Sequence, residues 1–179
     1  MTKSGTTGSL CIALAAALLS AACSGGAESH MSAAKGFMAK GEHRSAVIEL
    51  KSALQKQPDS PEGRFLLGRA LLESGDAVAA AIELRKARQL NHPDNAVMPE
   101  LARAVFEQGQ AKVAVSEFGT VVLDDKTAYA QLKTTLATAL IQLGRTADAQ
   151  SALRTALAAV PGHVPASVEQ ARLAAAGGD

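Results

Sequence analysis

Lys35, Arg69 and Arg103 stand 34 residues apart, and Thr138 follows 35 residues after the last of them. Three cations at a fixed period, carried on one face of successive elements, form a ladder. Such a ladder would engage successive carboxylates of an extended peptide or an anionic polymer, and arginine adds bidentate geometry to each grip. Arg69 and Arg103 also have a second course open to them. Glu73 and Glu107 lie four residues on, the spacing of an exposed intrahelical ion pair worth a few tenths of a kcal/mol. Phe65 and Phe106, with Met38, Leu72 and Ile141, flank the ladder and serve either as apolar contacts for a ligand or as packing between elements.

Other chemistry finds no support. His30, His43, His92 and His163 fall in different segments, with no i, i+4 pair and no cysteine partner, so they read as surface histidines and no metal site is expected. Carboxylates such as Asp124 and Asp125 lie near helix ends, where solvated charges are ordinary. There is no Gly-x-Ser-x-Gly turn, and a helix rather than a strand precedes each regularly spaced glycine, which removes the phosphate-loop reading. No cofactor and no enzymatic activity are expected. With 18 basic and 17 acidic side chains, no tryptophan and one tyrosine, the chain lacks both the basic excess of a nucleic-acid binder and the aromatic platforms that stack bases or sugars.

The elements that must position the ladder are set by four glycines, Gly41, Gly75, Gly109 and Gly144, spaced 34, 34 and 35 residues. Five residues after each comes Ala46, Ala80, Ala114 and Ala149; nine after, Leu50, Leu84, Phe118 and Leu153; twelve after, Ala53, Ala87, Val121 and Ala156. Seven before stand Ala34, Gly68, Ala102 and Ala137. Small residues paired with large ones at helical spacing are what two closely crossing helices require. The sequence therefore resembles tetratricopeptide repeats (TPRs), an all-α superhelix or solenoid of about four repeats, with a glycine turn between helices A and B of each. Helix A is expected at about 29–40, 61–74, 96–108 and 127–143, and helix B at about 43–56, 77–90, 111–123 and 146–159. The repeats then span about 28–60, 61–94, 95–126 and 127–161 of a domain covering 29–176, and a capping or truncated helix occupies 165–176. Ser60-Pro61-Glu62 reads as an N-cap, a proline at the first helical position and an acid favoured by the helix dipole. Pro58 and Pro161 close helix B seventeen residues after the glycine, and Pro93 does so one residue late. The third repeat is irregular. Gly119 and a valine-rich stretch mark its helix B as the least stable.

Residues 1–22 read as a secretory signal: Lys3, an apolar run from Leu10 to Leu19 too short to span a bilayer, then small residues. Leu19-Ser-Ala-Ala-Cys23 resembles a bacterial lipobox, which implies diacylation of Cys23. The other reading is an ordinary signal cleaved nearby, with Cys23 left as a thiol. Cys11 would leave with the signal, so the mature chain would hold one cysteine and form no internal disulfide. Residues 23–28 read as a flexible tether. Ser24 after the cysteine implies, by resemblance to Gram-negative lipoproteins, an outer-membrane location facing the periplasm.

Ser45-Ala-Val-Ile-Glu-Leu-Lys-Ser-Ala-Leu-Gln-Lys-Gln-Pro-Asp59, Arg64-Phe-Leu-Leu-Gly-Arg69, Glu83-Leu-Arg-Lys-Ala87 and Met98-Pro-Glu-Leu-Ala-Arg103 resemble the PrsT-type TPR lipoproteins of bacterial PEP-CTERM/exosortase systems. That resemblance implies a non-catalytic, lipid-anchored scaffold for protein–protein contacts in the cell envelope, tied to exopolysaccharide production and export or to protein sorting. Its partners would be envelope proteins or peptides held in a concave groove at Lys35, Arg69, Arg103, Phe65 and Phe106, with the membrane reached through lipid. Two further readings stand beside it: a pilotin-like or outer-membrane assembly lipoprotein, and a periplasmic binder of an anionic polysaccharide.

Overall fold

The computed structural model describes residues 26–177. They form nine α-helices joined by turns, with no strand among the described residues: α1 (26–39), α2 (His43–Lys56), α3 (Pro61–Glu73), α4 (Ala77–Gln89), α5 (Asp94–Glu107), α6 (Ala111–Phe118), α7 (Lys126–Gln142), α8 (Thr146–Ala159) and α9 (Val164–Gly177). Odd-numbered helices are the A helices and even-numbered ones the B helices. Each A helix from α3 to α7 packs on the B helices before and after it, and α3, α5, α7 and α9 also meet in sequence, so the A helices share one side of the array.

The repeat glycines make the turns for a backbone reason. All four have positive φ, between 71° and 90°, where a side chain would strain against the following carbonyl. In the first turn Gly41 N–H donates to the Met38 carbonyl at 3.0 Å and Glu42 N–H to the Phe37 carbonyl at 2.9 Å. This double closure satisfies carbonyls the ending helix leaves free, and it repeats at Gly75, Gly109 and Gly144. Asn91, with φ 63°, makes the same closure at the end of α4, where His92 N–H reaches the Ala87 carbonyl at 2.9 Å. That added turn explains why Pro93 comes one residue late. Three helices start on side-chain caps: Ser60 Oγ accepts from Gly63 N–H at 3.1 Å, Asp76 from Ala79 at 3.0 Å and Asp125 from Ala128 at 2.8 Å.

The offset residues build the core. Ala46, Ala80, Ala114 and Ala149 are fully buried, and Leu50, Leu84, Phe118 and Leu153 fill the space beside them. Val121 is the exception, half-buried and outside any helix, because α6 ends at Phe118 rather than near 123. There Gly119 caps α6, and Lys133 from α7 donates to the Gly119 carbonyl at 3.0 Å. The core falls into two clusters. One runs from α1 to α7 and includes Leu132 and Leu136; the other joins α7, α8 and α9 through Ala130, Ala137, Leu140, Leu153 and Ala166.

The N-terminal expectation changes in one respect. Residues 1–22, Cys23 and the start of the tether lie outside the described residues, but 26–28 are helical rather than loose. Ala27 is fully buried there, and burial stabilises that additional turn of α1.

Candidate functional site

The ladder residues do fall on neighbouring A helices, on α1, α3 and α5, yet none projects freely. Lys35 Nζ meets Glu62 at 2.7 Å, Arg69 meets Glu100 at 3.3 Å, and Arg103 meets Glu73 at 2.6 Å, Glu107 at 2.9 Å and Glu100 at 3.7 Å. Both expected courses are thereby modified. Arg103 does pair with Glu107 within its helix, whereas Arg69 turns to Glu100 of the next repeat instead of Glu73. Three cations are met by four carboxylates, so this face carries a slight acidic excess. Burial raises the Glu100 carboxyl pKa above its ordinary value, with Arg103 and Arg69 opposing that rise. Burial also works against the Arg103 charge, but the Glu73 hydrogen bond and the nearby carboxylates more than offset it and raise its pKa.

The two phenylalanines part company. Phe65 stacks on His92 with ring centroids 4.4 Å apart, and the Arg69 guanidinium lies 5.7 Å from the Phe65 ring centre. It is thus engaged within the second repeat and its following turn. Phe106 lines a cavity of about 380 Å³ with Arg103, Glu107, Thr138, Val164 and Val168. A second cavity of about 240 Å³ shares Arg103, Thr134, Thr135 and Pro165 with the first and adds Pro99, Glu100, Gln131 and His163. The two make one continuous groove along α5, α7 and α9. Lys35 and Arg69 line a separate hollow of about 380 Å³ with Met38, Leu66 and Glu73. Leu72, a candidate contact, is core at 3 % exposure.

The histidines are not all at the surface. His163 is buried by the turn into α9, and Ala166 in the first turn of that helix is fully buried, which draws the segment inward. Burial lowers its ring pKa and favours the neutral form, and its Nε2 has no hydrogen-bond partner within the protein. That nitrogen is itself buried, beside Gln131, Thr134 and Thr135, and the two threonine hydroxyls donate to the Ala130 and Gln131 carbonyls one turn back in α7. His163, Thr134 and Thr135 escape a search for ligand spacings because His163 lies in the turn before α9, far along the chain from the adjacent pair on α7, and the three belong to no charge pattern. His30 pairs with Glu49 at 2.6 Å. Among the described residues no group of three or more His, Cys, Asp or Glu is placed to hold a metal ion, and no helix is long and apolar enough to cross a membrane.

The family description "tetratricopeptide repeat" matches residues 31–96 through one profile and residues 105–167 through another. No curated protein matches the chain. Among solved structures it is similar to MamA protein, at 20% identity and TM-score 0.67, covering 78% of this chain and 76% of that one. It is also similar to PilF of Pseudomonas aeruginosa, at 19% identity and TM-score 0.69, covering 85% and 69%. A third likeness is to YrrB, described as a TPR protein with an unusual peptide-binding site, at 17% identity and TM-score 0.61, covering 76% and 70%. At these identities the likeness concerns the fold.

Proposed function

The chain belongs to the tetratricopeptide repeat family, and from that premise we propose that it is a non-catalytic scaffold, lipid-anchored through Cys23, that holds a partner protein in the cell envelope. TPRs support protein–protein interaction. The envelope setting rests on the signal and lipobox pattern. The resemblance at residues 45–59, 64–69, 83–87 and 98–103 favours a place in exopolysaccharide production and export or an exosortase-linked system at the periplasmic face of the outer membrane.

The observation that carries the binding reading is the groove along α5, α7 and α9, whose two cavities join across Arg103, Thr134, Thr135 and Pro165. Phe106, Val164 and Val168 offer apolar wall, while the exposed Gln131 and the half-buried Thr135 offer hydrogen bonds. An extended segment with apolar side chains and free backbone amides fits this composition. The peptide-binding site ascribed to YrrB supports a peptide as ligand. The paired ladder and its acidic excess favour a neutral or cationic segment over an anionic polysaccharide.

A pull-down from envelope extract tests this with Thr138→Trp, which places a large ring in the groove from a half-buried position. The wild-type chain is expected to retain a partner that Thr138→Trp loses at least tenfold, a change of about 1.4 kcal/mol. Equal retention by both folded proteins refutes groove binding. Mass spectrometry of the mature N-terminus tests the anchor separately, with an acylated Cys23 expected and a chain starting elsewhere counting against it.

A further inference from the structure

The opposite side of the array carries the reverse charge pattern. On the B helices every carboxylate has a basic partner: Glu49 with His30, Glu83 with Arg64 and Lys86, Glu117 with Arg85, and Asp148 with Arg145. Other acids near this side include Glu42 and Asp76 at the starts of α2 and α4, and Glu73, which lines a hollow with Arg44 and is held by Arg103. Arg44, Lys51 and Lys112 are exposed and make no ion pair among the described residues. Interleaved with them are aliphatic side chains that face water: Ile48 is 66% exposed, Val78 60% and Ile82 50%.

Their spacing makes these residues one surface. Arg44, Ile48 and Lys51 share a face of α2 at helical intervals of four and three, and Val78, Ile82 and Arg85 repeat that face 34 residues later on α4. Lys112 continues the first row onto α6. Exposed aliphatics between long cations, with Glu83, Glu117 and Asp148 held in ion pairs, are the composition of a helix face that rests in a lipid headgroup layer. The aliphatic groups enter the acyl boundary while the cations reach phosphates.

The geometry points to this B-helix face as a docking surface for an anionic phospholipid membrane. Charge complementarity selects that occupant, because unpaired positive charge lies on this side and the groove side is slightly acidic. The inference deepens the envelope reading and rests on it for orientation. A Cβ built on Gly26 would meet Lys56 Nζ at 2.6 Å, so α1 begins beside the end of α2. Cys23 is three residues earlier, a reach of about 10 Å. An acyl chain there would bring the bilayer to the helix that starts the basic and aliphatic rows, and leave the α5–α7–α9 groove turned toward solvent.

The test uses the mature chain from residue 23 onward, without the apolar signal and carrying Cys23→Ser, sedimented with vesicles of phosphatidylcholine alone or mixed with phosphatidylglycerol. Tighter binding to the anionic vesicles is expected, and it should fall as salt is raised. With about a fivefold contribution from each cation near a charged surface, the triple variant Arg44→Gln, Lys51→Gln, Lys112→Gln should bind about 100-fold more weakly. Ile48→Ser with Ile82→Ser should also weaken binding, whereas Lys126→Gln, on an A helix, should leave it unchanged. Folding of each variant is checked by its circular dichroism melt, and Lys51→Gln alone, expected to lose about fivefold, replaces the triple variant if that one unfolds. No preference for anionic vesicles, or a folded cation variant that binds as wild type, overturns the proposal. So does soluble polyglutamate capturing the chain through these same cations while vesicles do not. Because the assay uses unacylated protein, its failure is distinct from a failure to find lipid on Cys23.

Discussion

Gly68 is where the packing leaves least room, and adding one methyl group there measures how closely α3 and α4 approach. A Cβ at this position would stand 2.6 Å from Leu84 Cγ, 2.9 Å from Leu84 Cδ2 and 3.2 Å from the Leu84 backbone nitrogen. Leu84 has no exposed surface into which to retreat, and its backbone moves only if α4 moves. In an open helix interior Gly→Ala would stabilise by about 1 kcal/mol. Overpacking a full core costs about 1–3 kcal/mol, and two contacts shorter than 3.0 Å put this site toward the upper end. Gly68→Ala should therefore destabilise by a net of about 1–2 kcal/mol, lowering Tm by roughly 2–8 °C for a domain of this size. Leu84→Ala alone should cost about 2–5 kcal/mol. In that background the added methyl finds space, so Gly68→Ala should become stabilising and the double-mutant cycle should show a coupling of about 2–3 kcal/mol. Urea unfolding followed by far-UV circular dichroism reads all four proteins. A rise in the midpoint for Gly68→Ala alone, or strict additivity with Leu84→Ala, refutes the close-approach argument.

The remaining predictions concern the third repeat and its neighbour. In native-state hydrogen exchange α6 should exchange fastest among α2–α8, because it has eight residues and buries only Ala111, Ala114 and Phe118; protection equal to that of α4 would contradict this. Lys133 tests the α6 cap through pH. Burial lowers its pKa below the ordinary lysine value, so in the window between the folded and unfolded values the unfolded chain holds the extra proton and stability rises with pH. Relative to Lys133→Met, the wild type should gain stability as the pH rises toward the ordinary lysine value of about 10.5, read as urea midpoints; a parallel pH course for the two proteins rules the effect out.

What could be read in the sequence was whatever repeats. The glycines, the alanines five residues on and the large residues nine on each occur four times, and each set has one structural role, so turns and core were both legible. Cross-repeat pairing was not. The four-residue spacing of Arg69 and Glu73 is visible in the chain, but the register that brings Glu100 to Arg69 is set by stacking of α3 on α5, a tertiary property. Asn91 was hidden for a related reason: a left-handed residue at a helix end is signalled by glycine far more often than by asparagine. The early end of α6 has a visible cause in Gly119, but Leu123 is still buried beyond it, so apolar residues continue where the helix does not. His163 belongs to no motif, and only the inward turn before α9 makes it part of the groove.

The two-sided packing of α7 also bears on how such a chain can change length over generations. Leu132 and Leu136 serve the core on one side of this helix, while Ala137 and Leu140 serve the core on the other. A duplicated helix pair inserted at that boundary would present to each neighbour a surface like the one it already meets. Gain or loss of a repeat there would leave both cores filled, and the length of the groove could drift under selection for different partners without a new fold having to arise.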